Sequence, residues 1–201
     1  MKRILLFIAA AAMMASCTGL PKTKDVAKKI KDPAFRDYCV VNCDANSDGV
    51  LSMEEAAAVE KIAVPHRAIK SFKGIEYFTG LKCLECSKST LESIELALPS
   101  LEVLQCERIE GLEKIDVSKC PKLQFIYASH TGLKKIDLSK QKTLYRVWVD
   151  NTPISKLDLS NSPKLNNLNV ENCPNLKEVK VSPSVNRTLL FVIKDAQTTI
   201  K

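Results

Sequence analysis

"LEKIDVSKCPKLQFIYASHTGLKKIDLSKQKTLYRVWVDNTPISKLDLSNS", residues 112–162, states one phrase three times. LEKIDV begins at Leu112, LKKIDL at Leu133 and ISKLDL at Ile154, a return every 21 residues. Within each phrase the apolar residues fall at offsets zero, three and five. Outward in both directions the phrase continues from Ile69, as LESIEL from Leu91 and as LKEVKV from Leu176. A second apolar strip interleaves with it, starting at Val59, Leu81, Leu101, Leu123, Leu144 and Leu165. Its inward pairs are Ile62/Val64, Leu84/Cys86, Leu104/Cys106, Ile126/Ala128, Val147/Val149 and Leu168/Val170. TLLFVI, residues 188–193, reads as one last, irregular coil. Self-similarity at this period means stacked coils, because a single coil buries too little apolar surface to offset the entropy of ordering it.

The L-x-x-L-x-L pattern resembles leucine-rich repeats. The resemblance implies a leucine-rich-repeat solenoid, mainly β, of short parallel strands in about six coils of ~21 residues. It departs from the usual repeat where an asparagine normally ends the strand. That place holds Ser89, Ile109, Thr131, Thr152 and Cys173, with Asn151 and Asn172 one residue earlier. Serine and threonine hydroxyls are therefore expected to support the loops.

Offsets zero, three and five face the core, and offsets one, two and four face out. On the 112-type strip the outward residues are lysines and acids, such as Glu113, Lys114 and Asp116. That is a solvated face. On the other strip they become Gln124, Phe125 and Tyr127, then Tyr145, Arg146 and Trp148, then Asn166, Asn167 and Asn169. Trp148, the one tryptophan, sits at offset four and is expected to point outward. Four of the eleven aromatic residues thus lie on two neighbouring strands. Trp, Tyr and Arg are enriched at binding hot spots. Phe125, Tyr127, Tyr145, Arg146, Trp148, Asn166, Asn167 and Asn169 are the candidate ligand-binding residues. A protein or peptide suits this face, and a glycan is the alternative, since rings flanked by amides also stack on sugars. Coverage of the face by the tail from Ser182 to Lys201, or by a second copy, is a further alternative, as is a purely structural envelope role.

Residues 44–55, DANSDGVLSMEE, place oxygen donors at loop positions 1, 3, 5, 9 and 12 and Gly49 at position 6. The loop resembles an EF-hand at every ligand position. The resemblance implies calcium held by Asp44, Asn46, Asp48, the Val50 carbonyl, Ser52 through water, and a bidentate Glu55. PAFRDYCVVNC before the loop and MEEAAAVEKI after it read as helices. No second loop is found. A lone site outside the cell would bind at roughly 10⁻⁴ to 10⁻³ M and act as a structural clip. The segment runs straight into Val59, so it is expected to form a small α-helical cap on the N-terminal end of the solenoid.

Lys2 and Arg3 precede an apolar run from Ile4 to Met14, too short to span a bilayer, and read as a signal peptide, residues 1–16. MASC, residues 14–17, resembles a lipobox, which implies lipidation of Cys17; ordinary secretion is the alternative. Residues 17–32 read as a lysine-rich tether, residues 33–58 as the cap and residues 59–201 as the repeat domain. The whole resembles secreted bacterial leucine-rich-repeat lipoproteins with a single EF-hand-like N-terminal segment, on FRDY (35–38), DANSDGVLSMEEA (44–56) and IKSFKGIEYFTGLKCLECS (69–87). That resemblance implies a lipid-anchored place in the cell envelope, at the outer membrane or cell surface, and no established activity.

The net charge of +7, or +5 without Lys2 and Arg3, is spread as single lysines, which argues against nucleic acid. His66 and His130 are the two histidines, and no nucleophile, phosphate loop or paired-carboxylate pattern accompanies them, so no enzyme is expected. Cys39 and Cys43 lie one helical turn apart, poor geometry for a disulfide. Cys83 and Cys86, three apart on a strand, are expected on opposite faces.

Overall fold

The computed structural model describes residues 24–201. The signal peptide, Cys17 and the first part of the tether lie outside the described residues. Thirteen short strands follow two helices, and every pairing is parallel.

The wide sheet contains seven strands: Lys61–Ala63, Cys83–Glu85, Val103–Gln105, Phe125–Tyr127, Arg146–Trp148, Asn167–Val170 and Phe191–Lys194. Each coil contributes one strand, in chain order. The register is even along the sheet: Ile62, Leu84, Leu104, Ile126, Val147, Leu168 and Val192 stand level with one another. All but Val192 are fully buried. The side-chain period of two then sends their neighbours outward. TLLFVI does supply the seventh strand, one coil more than the six regular ones.

The opposite side does not form one sheet. Ser93–Glu95, Lys114–Asp116 and Lys135–Ile136 make one group of three, and Leu157–Leu159, Glu178–Val181 and Thr199–Ile200 make another. Nothing in the repeat marks the break between Ile136 and Leu157. Along this side Asp116, Asp137 and Asp158 each accept the amide of the serine two residues on, closing the turn after the strand. These hydrogen bonds, from Ser118, Ser139 and Ser160, hold the three carboxyls below the usual range.

After each of the first six strands of the wide sheet the chain turns through a left-handed residue. His66, Lys88, Arg108, His130, Asn151 and Asn172 have φ between 54 and 59°. The first five amides continue the ladder, as in His130 N to Asp150 O at 3.0 Å, and the Asn172 amide donates to the Asp195 carboxylate at 3.0 Å. Hydroxyls stand where the usual asparagine would be: Thr131 Oγ1 donates to Ala128 O at 2.9 Å and Thr152 Oγ1 to Val149 O at 2.7 Å. Asn172 Nδ2 reaches Asn151 Oδ1, a single surface rung of asparagines.

The N-terminal end is closed by α1 (Pro33–Cys43) and α2 (Met53–Ala58). Asp32 caps α1 through the Phe35 amide, with Pro33 in the first turn, a favourable helix start. Phe35 meets Phe72 edge to face at 5.1 Å and lies against Phe78, so the helix face joins the solenoid core. The tether reading is corrected for residues 24–32. A 3-10 turn, Val26–Lys29, docks on the cap, Val26, Ala27 and Ile30 are buried, and Val26 N donates to Leu51 O at 2.7 Å. Three apolar residues among the lysines outweigh the segment's polar composition. Gly74 permits the docking: its φ is +106°, and a Cβ there would meet the Ile30 backbone at 2.7 Å.

The seven described cysteines are free thiols. Cys86 is buried and Cys83 half-buried on the outer face, as the strand period requires. Burial pushes the Cys86 and Cys106 thiols far up, which leaves them as unreactive apolar filler. Among the described residues no helix is long and apolar enough to cross a membrane.

Candidate functional site: an aromatic plate on the wide sheet

The strands Phe125–Tyr127 and Arg146–Trp148 pair in register, Phe125 beside Arg146 and Tyr127 beside Trp148. Each strand buries its middle residue, Ile126 or Val147, and leaves the flanking pair half-exposed. Adjacent strands lie ~4.8 Å apart, so level side chains must touch. Tyr127 and Trp148 meet edge to face at 5.2 Å. Phe125 and Tyr145 lie 5.9 Å apart, and Tyr145 is 41% exposed. The Arg146 guanidinium lies 5.2 Å from the centre of the Trp148 ring and donates to Tyr127 Oη at 3.1 Å. A cation over an indole gains from the ring quadrupole.

The next strand supplies amides. Trp148 Nε1 donates to Asn167 Oδ1 at 2.6 Å. Asn169 Oδ1 accepts the Glu171 amide, and Asn166 Nδ2 donates to Leu189 O at 3.1 Å. The tail from Ser182 does not fold over the plate. It carries the solenoid on, its Phe191–Lys194 strand lying beside Asn167–Val170. All eight residues singled out from the sequence therefore share one face, on three successive strands.

In the 44–55 loop, Asp44 Oδ2 accepts the Gly49 amide at 2.9 Å, Asn46 Oδ1 that of Asp48 at 2.8 Å and Asp48 Oδ1 that of Val50 at 2.8 Å. Gly49 adopts φ +82° at the tightest point. Ser52 and Glu55 form a capping box at the start of α2. Glu55 also reaches back across the loop, its Oε1 accepting the Ala45 and Asn46 amides at 3.0 and 3.2 Å. Burial pushes the Glu55 carboxyl up, but its hydrogen bonds from Ser52, Asn46 and Ala45 outweigh that and hold it below the usual range. Among the described residues no three His, Cys, Asp or Glu side chains converge as a ready-made metal cluster. The donor set nonetheless fits a hard cation. Its oxygens belong to carboxylates, an amide, a hydroxyl and a carbonyl, and Asp44 Oδ1 is buried without a hydrogen-bond partner.

One polar cluster joins side chains of three coils. Ser129 Oγ donates to Asp150 Oδ1 across adjacent coils, and the other Asp150 oxygen lies 4.0 Å from His130 Nε2. Glu107 stands nearby. Burial raises its carboxyl, with Asp150 adding repulsion and Arg108 and His130 opposing it. The serine gives its proton to the acid and not to the histidine, so the trio braces a turn. Its sequence signal was a column of polar residues directly after the inward pairs: Ser87, Glu107, Ser129, Asp150 and Glu171.

No protein-family model matches the sequence, and comparison with curated proteins yields no match. Solved structures do match. An internalin (InlF) from Listeria monocytogenes str. 4b F2365 is 18% identical with a TM-score of 0.58, over 89% of this chain and 57% of that one. The leucine-rich-repeat domain of the type III effector XopL is 17% identical with a TM-score of 0.57, over 63% of this chain and 49% of that one. The chain thus spans about half the length of the structures it resembles. At such low identity the likeness is one of architecture, and the architecture is a leucine-rich-repeat solenoid with a small helical N-terminal cap.

Proposed function

We propose that this chain is a non-enzymatic, surface-anchored binding module that recognises a protein or peptide through the outer aromatic face of the wide sheet. The observation that carries the reading is the plate of Phe125, Tyr127, Tyr145 and Trp148. Four rings and a guanidinium gather on two adjacent strands, Phe125 level with Arg146 and Tyr127 with Trp148, beside the exposed Tyr145 and above a buried row. Rigid aromatic side chains lose little entropy on contact and bury much area, which suits them to recognition. Anchoring rests on the lipobox-like MASC sequence at Cys17. The asparagine amides beside the rings support a second reading, a glycan ligand.

The test is a pull-down from host and bacterial surface extracts, run with a glycan array, comparing the natural chain with the Trp148→Ala/Tyr145→Ala double variant. The double variant is expected to lose binding while keeping a melting temperature close to that of the parent. Leu168→Ala, in the buried row, is the contrast, with an expected loss of about 2–5 kcal/mol. Unchanged binding by a folded double variant would place recognition elsewhere.

The 44–55 loop is read as a structural calcium clip, held by Asp44, Asn46, Asp48, the Val50 carbonyl, Ser52 and Glu55. The unpartnered Asp44 oxygen supports this reading. Bound calcium supplies positive charge that draws the loop carboxylates together. Calcium at millimolar concentration is expected to raise the melting temperature, and Asp44→Asn to remove the rise. Isothermal titration that detects no calcium binding would end the proposal.

A further inference from the structure

The polar atoms at the centre of the plate point to one ligand chemistry. Trp148 Nε1 can only donate, so Asn167 must turn its oxygen to it, and this leaves the Asn167 amide nitrogen unused by that bond. Arg146 can only donate, so Tyr127 Oη is the acceptor and its own hydrogen must be given elsewhere. Asn169 accepts a backbone amide and likewise leaves its nitrogen free of that bond. Asn166 Nδ2 is spent on Leu189 O, but the Tyr127 hydroxyl hydrogen and the Asn167 and Asn169 amide nitrogens make no hydrogen bond within the plate, so donors are left over at its centre.

The charge is equally one-sided. Among the described residues no carboxylate lies within 4.0 Å of Arg146, although six lysine or arginine ion pairs form elsewhere. Its Nε is buried and has no hydrogen-bond partner. Glu102 and Glu85, the nearest acids on this face, belong to coils two and three strands away, about 10 Å or more at the usual spacing. A guanidinium over an indole at 5.2 Å, short of acceptors and without a counter-ion, is complementary to a carboxylate.

We propose that the plate binds an extended protein segment carrying an Asp or Glu side chain beside an apolar residue. The carboxylate pairs with Arg146 and takes the Tyr127 hydroxyl and Asn167 amide hydrogens, while the apolar neighbour packs on Trp148 and Tyr145. This rests on the reading of the plate as a protein-binding face and specifies what that face selects. Arg146 is a specificity-determining residue in this scheme, and the rings supply the area.

The probe is an array of short synthetic peptides, each printed in an acidic form and in its Asn/Gln isosteric form, overlaid with the full chain. Sialylated glycans and their asialo forms are printed alongside. The natural chain is expected to favour acidic over isosteric peptides by about tenfold, the value of a charged hydrogen bond. Arg146→Gln should bring that ratio near one while retaining residual binding. Tyr127→Phe, which keeps the ring, should reduce the ratio in part. Circular dichroism melts confirm that each variant is folded. Equal binding of acidic and isosteric peptides, lost in Trp148→Ala/Tyr145→Ala, would overturn the carboxylate proposal and keep the protein-binding face. Discrimination among glycans with none among peptides would overturn both. Peptide binding that survives every plate variant would show that the face itself is misassigned.

Discussion

Trp148 illustrates how much one position in a repeat determines. Its neighbours Val147 and Val149 are fully buried, so the strand period leaves the indole no inward place. The same logic places Tyr127 and Arg146, and contact between them follows from strand spacing alone. Glu107 is a different case, since nothing in its local sequence announces its surroundings. Its carboxyl is raised by burial, with Asp150 of a coil two turns on adding to the effect. A carboxyl raised in the folded state costs stability at neutral pH, and protonation in acid removes that cost. Glu107→Gln is therefore expected to raise the melting temperature at neutral pH. The gain should vanish below the ordinary glutamate pKa of about 4.3. Thermal melts across that range check it, and an unchanged difference in acid would show that charge is not the cause.

At the scale of elements, the cap shows composition and packing in competition. The lysine-rich lead-in reads as a tether, yet Val26, Ala27 and Ile30 are buried by contact with segments far along the chain. Lys31 N donates to Lys73 O at 3.1 Å, and Asp32 Oδ2 accepts the Lys70 amide at 2.8 Å. These bonds tie the lead-in and α1 to the first coil. Phe35 is the hinge of that packing, fully buried between Phe72 and Phe78. Phe35→Ala is expected to cost about 3–5 kcal/mol, measured by urea unfolding. Protease sensitivity should appear first between Lys24 and Lys31, since that segment leans on the same cluster. The 44–55 loop can be compared with an EF-hand from sequence alone because its oxygen-bearing residues lie within one short segment. The way Glu55 reaches back to Ala45 and Asn46 was not legible there, because it depends on how α2 leaves the loop.

Across the whole molecule, stability is passed from coil to coil through neighbours. The central rows, Ile126, Val147 and Leu168, are flanked by strands on both sides and fully buried. The last strand of the wide sheet, Phe191–Lys194, pairs on one side only, and Leu189 and Phe191 are 65% and 57% exposed. Local opening should therefore be graded along the solenoid. Amide hydrogen exchange is expected to be at least about tenfold faster at Val192 and Ile193 than at Ile126 and Val147. Uniform protection would mean that the solenoid opens as one unit.

Periodicity by itself determined the solenoid, the inward rows and the outward turn of the plate, because a repeat of 21 with side-chain alternation leaves each residue one face. It also gave the threonine hydroxyls that support two of the loops, at Thr131 and Thr152, but not a serine counterpart, since Ser89 Oγ is buried without a hydrogen-bond partner. Only the tertiary structure decided the rest: the division of the second strip into two sheets, the docking of residues 24–32 and the cluster around Asp150. It also decided which hydrogen-bonding atoms of the plate remain for a ligand. Those features depend on contacts between residues some twenty or more positions apart. A repeat pattern states which side of a coil a residue occupies, but a hydrogen bond is settled by the atom that arrives from the next coil.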